Sequence, residues 1–149
     1  MNDLSTPTTV VVGASRGLGR GIVRAFAGAG VPVVAVARTG AALAELAATS
    51  ANIRTEVADG ADATVAGSLL GRYQPENVIL VAGATPVMRP LQHQTWETFS
   101  VNWHTDVRIA FHWLGEVLVE HLIVGLESFE FFPTFVRCRH RDARPALGL

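Results

Sequence analysis

Val10-Val11-Val12-Gly13-Ala14-Ser15-Arg16-Gly17-Leu18-Gly19-Arg20-Gly21-Ile22 is the stretch whose reading decides the fold. Three β-branched residues run into a glycine-rich turn, and apolar residues then recur at helical spacing through Leu18, Ile22, Val23 and Phe26. A short apolar run suits a buried parallel strand, and the i, i+4, i+8 pattern suits an amphipathic helix. Gly13, Gly17 and Gly19 remove the Cβ atoms that would hold a ligand's phosphates away from the backbone. The helix that follows opens with unpaired N–H groups and the positive end of its dipole, so Ser15, Arg16, Gly17 and Leu18 border an anion site. The dipole contributes roughly 0.3–2 kcal/mol, enough to place a diphosphate but not to bind a dinucleotide alone.

The glycine spacing is G-x-x-x-G-x-G, not the commoner dinucleotide pattern G-x-G-x-x-G. With the strand before it, GASRGLG resembles the glycine motif of the short-chain dehydrogenase/reductase family. Two other readings stay open at this point. The glycines suit a strand–helix connection without any ligand. Gly13-Ala14-Ser15-Arg16-Gly17 also satisfies G-x-S-x-G, the nucleophile elbow of α/β-hydrolases, which would make Ser15 a nucleophile. That elbow normally follows several strands, and a hydrolase has no use for Gly19.

The segments after the motif repeat its alternation. Strands are expected near Thr8–Val12, Val31–Ala37, Ile53–Ala58 and Asn77–Ala82, and helices near Arg16–Ala29, Ala41–Thr49 and Ala63–Tyr73. Asp62 is placed to cap the third helix. Short connections between such units imply an α/β fold, a doubly wound parallel sheet of Rossmann type with strand order 3-2-1-4. Ligands then bind outside the carboxyl ends of strands 1 and 4. Thr95–His121 reads as a long helix bent near Asn102, with Trp103, Val107, Ala110, Phe111, Leu114 and Leu118 as its buried stripe.

At 149 residues the chain suits one domain, able to bury about two-thirds of its unfolded surface. A net charge of −1 and 49% hydrophobic residues argue against disorder and against nucleic-acid binding. The single cysteine, Cys138, forms no internal disulfide and no metal cluster. Successive histidines, His93, His104, His112, His121 and His140, are 11, 8, 9 and 19 residues apart, which excludes the H-x-x-x-H ligand pattern. No basic-then-apolar leader and no apolar run near 18 residues appears, so the protein is expected to be cytoplasmic and not membrane-bound.

The charge at the end of strand 2 distinguishes the nicotinamide cofactors. A carboxylate there binds the adenosine ribose hydroxyls, whereas arginine accommodates a 2′-phosphate. This strand ends Val36-Ala37-Arg38-Thr39, and the resemblance gives Arg16 the same phosphate, so NADP(H) is expected in preference to NAD(H). The resemblance also implies that Asp59 holds the adenine amino group, although a backbone-capping turn explains it equally. Where the family carries Asn-Asn-Ala-Gly after strand 4, this chain has Leu80-Val81-Ala82-Gly83. Ala82 and Gly83 keep the close backbone approach, and the amide side chains are gone. Trp96-Glu97-Thr98-Phe99-Ser100-Val101-Asn102 resembles the family's W-x-x-x-x-x-N before its long interface helix. Asn102 thereby matches the asparagine of the catalytic Asn-Ser-Tyr-Lys set.

The resemblance covers about Thr8–Leu118 and then stops. The family's reaction, hydride transfer between nicotinamide and a small carbonyl or alcohol, relies on a serine, a tyrosine and a lysine four residues after it. All 12 basic residues here are arginine, and the one tyrosine, Tyr73, precedes strand 4 with Asn77 as its fourth neighbour. Residues 1–121 are therefore expected to form an NADP(H)-binding Rossmann portion with no turnover of its own, Asn102 being left without its catalytic partners. A cofactor-binding module working with a partner chain is the alternative, and self-association is compatible with both.

Residues 122–149 are expected to form an irregular tail. Phe129, Phe131, Phe132 and Phe135 cluster there, Arg137, Arg139, Arg141 and Arg144 follow, and no period organises them. Such a change suggests a shifted reading frame or an early alternative end near Val119, or else a tail of its own kind that docks on the sheet. A strand over Phe129–Val136, interrupted at Pro133, would cover the apolar edge of strand 4.

Overall fold

The structure, a computed structural model, describes residues 8–124, 129–132 and 135–138, with side chains over residues 8–119. It alternates β1 (Thr9–Val12), α1 (Gly17–Gly28), β2 (Val33–Ala37), α2 (Gly40–Ala47), β3 (Ile53–Val57), α3 (Ala63–Tyr73) and β4 (Asn77–Leu80). These four strands are parallel in the order β3-β2-β1-β4, as the short connections require. β1 lies at the centre, with Val10 opposite Val34 on one side and Val78 on the other.

Because successive strand residues face opposite ways, β1 feeds both layers of the core. Val10 and Val12 pack with Leu69 and Leu70 of α3 and with Ile109, Trp113 and Val117. Val11 packs with Val23 and Ala27 of α1 and with Leu43 and Leu46 of α2. α1 closes on Gly30, whose φ of +80° lets the N–H groups of Gly30 and Val31 turn back to Ala27 and Phe26. Asp62 caps α3, accepting from the Thr64 N–H at 2.9 Å. That bond, with the Thr64 hydroxyl's, holds its carboxyl below the ordinary carboxylate value.

The long helix departs from expectation in two ways. It is divided into α4 (Trp96–Phe99), a π-turn over Trp103–Val107, and α5 (Arg108–Val124), so its regular winding breaks just after Asn102. Its buried face is also a different one. Trp103, Val107, Phe111 and Leu118 are exposed, and Ile109, Trp113 and Val117 are buried, with Leu114 only half-buried beside them. The inward face reads Asn102, Asp106, Ile109, Trp113, Val117, spaced i, i+4, i+7, i+11, i+15. Its first turn is polar because it lies over the end of β4, where backbone groups need partners. A search for the most apolar stripe passes over such a face.

Beyond β4 the sheet continues with β5 (Phe129–Phe132) and β6 (Phe135–Cys138), in the order β4-β6-β5. β6 runs antiparallel to β4, with Val136 opposite Val78, and so covers the edge of β4. Residues 125–128, 133–134 and 139–149, including Pro133 and three of the tail's four arginines, lie outside the described residues.

Candidate functional site

The chain leaves β1 through a turn that only glycine permits. Gly13 has φ +97°, and a Cβ there would stand 2.4 Å from the Ala82 nitrogen. Its N–H and that of Ala14 both reach the Val36 carbonyl, at 2.8 and 3.1 Å, which ties the turn to β2. At Gly19 a Cβ would stand 2.2 Å from the Gly13 carbonyl oxygen. Gly13 and Gly19 therefore exist for packing, of turn against strand and of helix against turn. Gly17 differs, having φ +53° and nothing within 4 Å of a Cβ position. It leaves backbone open to the space in front of the sheet.

That space is a cleft of about 540 Å³ at the carboxyl ends of β1, β2 and β4, where the strand order reverses. Its floor and one wall are Gly13, Ser15, Arg16, Gly17, Leu18 and Gly19. Arg38 follows β2 into it, Asp59 and Gly60 follow β3, and Ala82, Gly83 and Ala84 follow β4. Arg16 precedes the first turn of α1 with an extended backbone (φ −152°) and no side-chain cap, and no acidic residue occupies that first turn. Neither Arg16 nor Arg38 pairs with a carboxylate among the described residues; the ion pairs there are Arg20–Glu45 and Arg72–Glu56. Two free guanidinium groups and unpaired helix N–H groups give the cleft a positive mouth, suited to phosphate. Leu18, expected on the helix's apolar stripe, is exposed at that mouth.

Asp59 serves its own turn, its Oδ1 accepting from the Ala61 N–H at 3.0 Å, and it still lines the cleft. Ser15 lines it as well, without a hydrogen bond to a histidine among the described residues, so no nucleophile–base pair is assembled around it. His93, His104 and His112 join no group of metal-ligating side chains among the described residues. His121 and His140 fall outside the described side chains.

Asn102 does not line the cleft but stands behind its wall. Its Nδ2 donates to the Ala84 carbonyl and to Asp106 Oδ2, both at 3.0 Å. Asp106 Oδ1 in turn accepts from the Ala84 N–H at 2.7 Å. Tyr73 is remote from the cleft and committed elsewhere, since its hydroxyl donates to Glu56 on β3. Burial, then the bond to Glu56 and its charge, push the phenol above its usual value of 10.

Three positions that shape the cleft carried no signal in the sequence. Gly60 has no room for a Cβ, which would meet Val12 Cγ1 at 2.7 Å. The buried Trp113 indole donates to the Gly60 carbonyl at 3.1 Å and fixes the turn after β3. Asp106, in the π-turn, belongs to no motif and no apolar stripe. Only the fold brings the three to the strand ends.

Residues 7–104 match the family model described as short chain dehydrogenase. Among curated proteins the chain is similar to L-xylulose reductase of Bos taurus, 32% identical over 114 residues, covering 76% of this chain and 46% of that protein. It is also similar to carbonyl reductase (NADPH) 2 of Sus scrofa, 30% identical over 114 residues with the same coverage, 76% and 46%. A solved short chain dehydrogenase from Bacillus anthracis superposes with a TM-score of 0.73 at 16% identity, over 84% of this chain and 53% of that one. The chain thus spans about half the length of the curated relatives it matches.

Proposed function

Since the chain belongs to the short-chain dehydrogenase family, we propose that its cleft binds a nicotinamide dinucleotide, NADP(H) in preference to NAD(H). One observation carries this reading. Arg16 and Arg38 reach the same cleft from two elements, neither is neutralised by a carboxylate among the described residues, and β2 ends on Ala37. A 2′-phosphate is the anion such a pair selects, and a charge-assisted bond of this kind contributes about 1.5–3 kcal/mol. Gly17 and the first N–H groups of α1 would take the diphosphate, with Ser15, Leu18 and Gly19 around it. Asp59 keeps one carboxylate oxygen for the adenine amino group, and Ala82 and Gly83 let backbone lie close to the ribose on the other side.

When bound, the nicotinamide supplies hydride to, or takes it from, a small carbonyl or alcohol. The described residues of the cleft supply orientation and charge, not proton transfer. Asn102 is spent on Ala84 and Asp106, and Tyr73 on Glu56, with its phenol held neutral. General acid–base catalysis is worth about 10²–10⁴-fold, and among the described residues no group is placed to provide it. We therefore read it as a cofactor-binding Rossmann portion, residues 1–121, without turnover of its own and set in the cytoplasm.

Competition against bound NADPH tests the assignment. 2′,5′-ADP should displace it at least tenfold more effectively than 5′-ADP, and Arg16→Ala with Arg38→Ala should abolish the difference. Equal displacement by the two nucleotides in the unaltered chain would refute the 2′-phosphate role.

A second observation favours association with another chain. Trp96, Phe99, Trp103, Val107 and Phe111 are exposed along α4, the π-turn and α5. Large apolar side chains in a row are characteristic of interaction surfaces. Self-association through this face, or docking of a partner that completes a catalytic site, would bury them.

A further inference from the structure

Asp106 belongs to no part of the cofactor reading given above, yet it holds one wall of the cleft. β4 makes its last bond to the sheet where the Val81 N–H meets the Val12 carbonyl at 2.9 Å. Beyond it Ala82 and Gly83 leave the sheet, and the next fixed point is Ala84. Both polar groups of Ala84 are held by side chains from one helical turn: its N–H by Asp106 at 2.7 Å and its carbonyl by Asn102 at 3.0 Å. Asn102 and Asp106 also bond each other at 3.0 Å, so the three groups form a closed set.

The neighbourhood is shaped to seat this carboxylate. A Cβ on Gly83 would stand 3.1 Å from Asp106 Oδ1, tighter than ordinary contact, so the glycine makes room for the acid. The wall it holds bears directly on the glycine turn, because Gly13 has no space for a Cβ against Ala82. Asp106 itself lies in the π-turn, an irregularity that helices often carry at functional sites. Leu80 and Val81 have no polar side-chain atom with which to perform the same task.

We propose that Asp106 is a positioning residue for the dinucleotide: through Ala84 it sets the Ala82–Ala84 wall at the distance from the glycine turn that the cofactor needs. This rests on the reading of the cleft as a dinucleotide site. The carboxylate is the right group for the task because a charged acceptor makes the stronger bond to a backbone N–H and also accepts from Asn102.

The test measures NADPH affinity by calorimetry and amide hydrogen exchange by NMR on the full chain, for Asp106→Ala and Asp106→Asn. Asp106→Ala should weaken NADPH about tenfold and speed exchange at Ala84, while the amides of Val34 and Val36 in the core exchange at their usual rates. A residue needed only for folding would speed all three. Asp106→Asn keeps an acceptor for Ala84 but opposes a donor to Asn102, so it should restore most of the affinity, to within about threefold. Wild-type affinity in Asp106→Ala would overturn the proposal while leaving the cleft reading intact. Binding of neither NADPH nor NADH by the unaltered chain would overturn the cleft reading itself. Should Asp106→Ala not fold, Asp106→Ser, whose side chain is too short to reach the Ala84 N–H, takes its place, and wild-type affinity there would overturn the proposal in the same way.

Discussion

Gly19 and Gly21 stand two residues apart in α1 under opposite demands. A methyl group on Gly19 collides with the Gly13 carbonyl oxygen at 2.2 Å, whereas one on Gly21 meets nothing within 4 Å. Gly19→Ala should therefore cost about 3 kcal/mol or more by overpacking, and Gly21→Ala should stabilise by about 0.5–1 kcal/mol through helix propensity. Urea denaturation of both variants checks the pair, and a stabilised Gly19→Ala would mean that the turn yields. From the sequence all these glycines look alike. What separates them is the folded path of the turn, which sets the Gly13 carbonyl, and Val81 from some sixty residues later, against Gly19 alone. The Tyr73 hydroxyl is a second case in which the partner, Glu56, is invisible until the fold is known. Its folded-state value is raised, so the stability it contributes is complete below pH 10 and is lost as pH rises through the folded value. Tyr73→Phe should lose about 1 kcal/mol at neutral pH, and its stability should lack that alkaline decline. A decline equal to that of the unaltered chain would remove Tyr73 as its source.

At the scale of elements, legibility followed burial. β1 after Thr9 and all of β2 are apolar because both faces are covered, and the sequence marks them within a residue or two of their ends. The long helical stretch misled because its inward face begins, ahead of α5, with Asn102 and Asp106 and turns apolar only at Ile109. Its anchor is Trp113, fully buried and bonded to Gly60. Trp113→Phe leaves the Gly60 carbonyl without its donor and should cost about 2 kcal/mol, read as a lower melting temperature. An unchanged melting temperature would show that water replaces the indole. The opposite face, with Trp103 and Phe111, is where a second chain would sit. Trp103→Glu with Phe111→Glu should convert an associated form to monomer in sedimentation without loss of the cooperative melt. If the unaltered chain sediments as a monomer, this face does not mediate self-association.

In the whole molecule, the parallel order β3-β2-β1-β4 follows from the alternation of short apolar runs with helical segments, and this much is written in the sequence. The cleft follows from it too, because the reversal of strand order between β1 and β4 fixes where a ligand enters. Residues separated by 70 positions, Gly13 and Gly83, meet there on the strength of that order alone. The inner supports of the cleft are not written locally, since they depend on which carboxylate and which indole a helix happens to turn inward. The antiparallel β6 on the edge of β4 has the place a further parallel strand would otherwise take, and it covers apolar residues that would promote aggregation. The proposed function stands or falls on whether the cleft prefers NADP(H) to NAD(H). Calorimetric titration of the full chain with NADPH and, separately, NADH measures this most directly. The account predicts saturable binding of one NADPH per chain with a Kd at least tenfold below that for NADH; equal affinity for the two, or tighter binding of NADH, would contradict it.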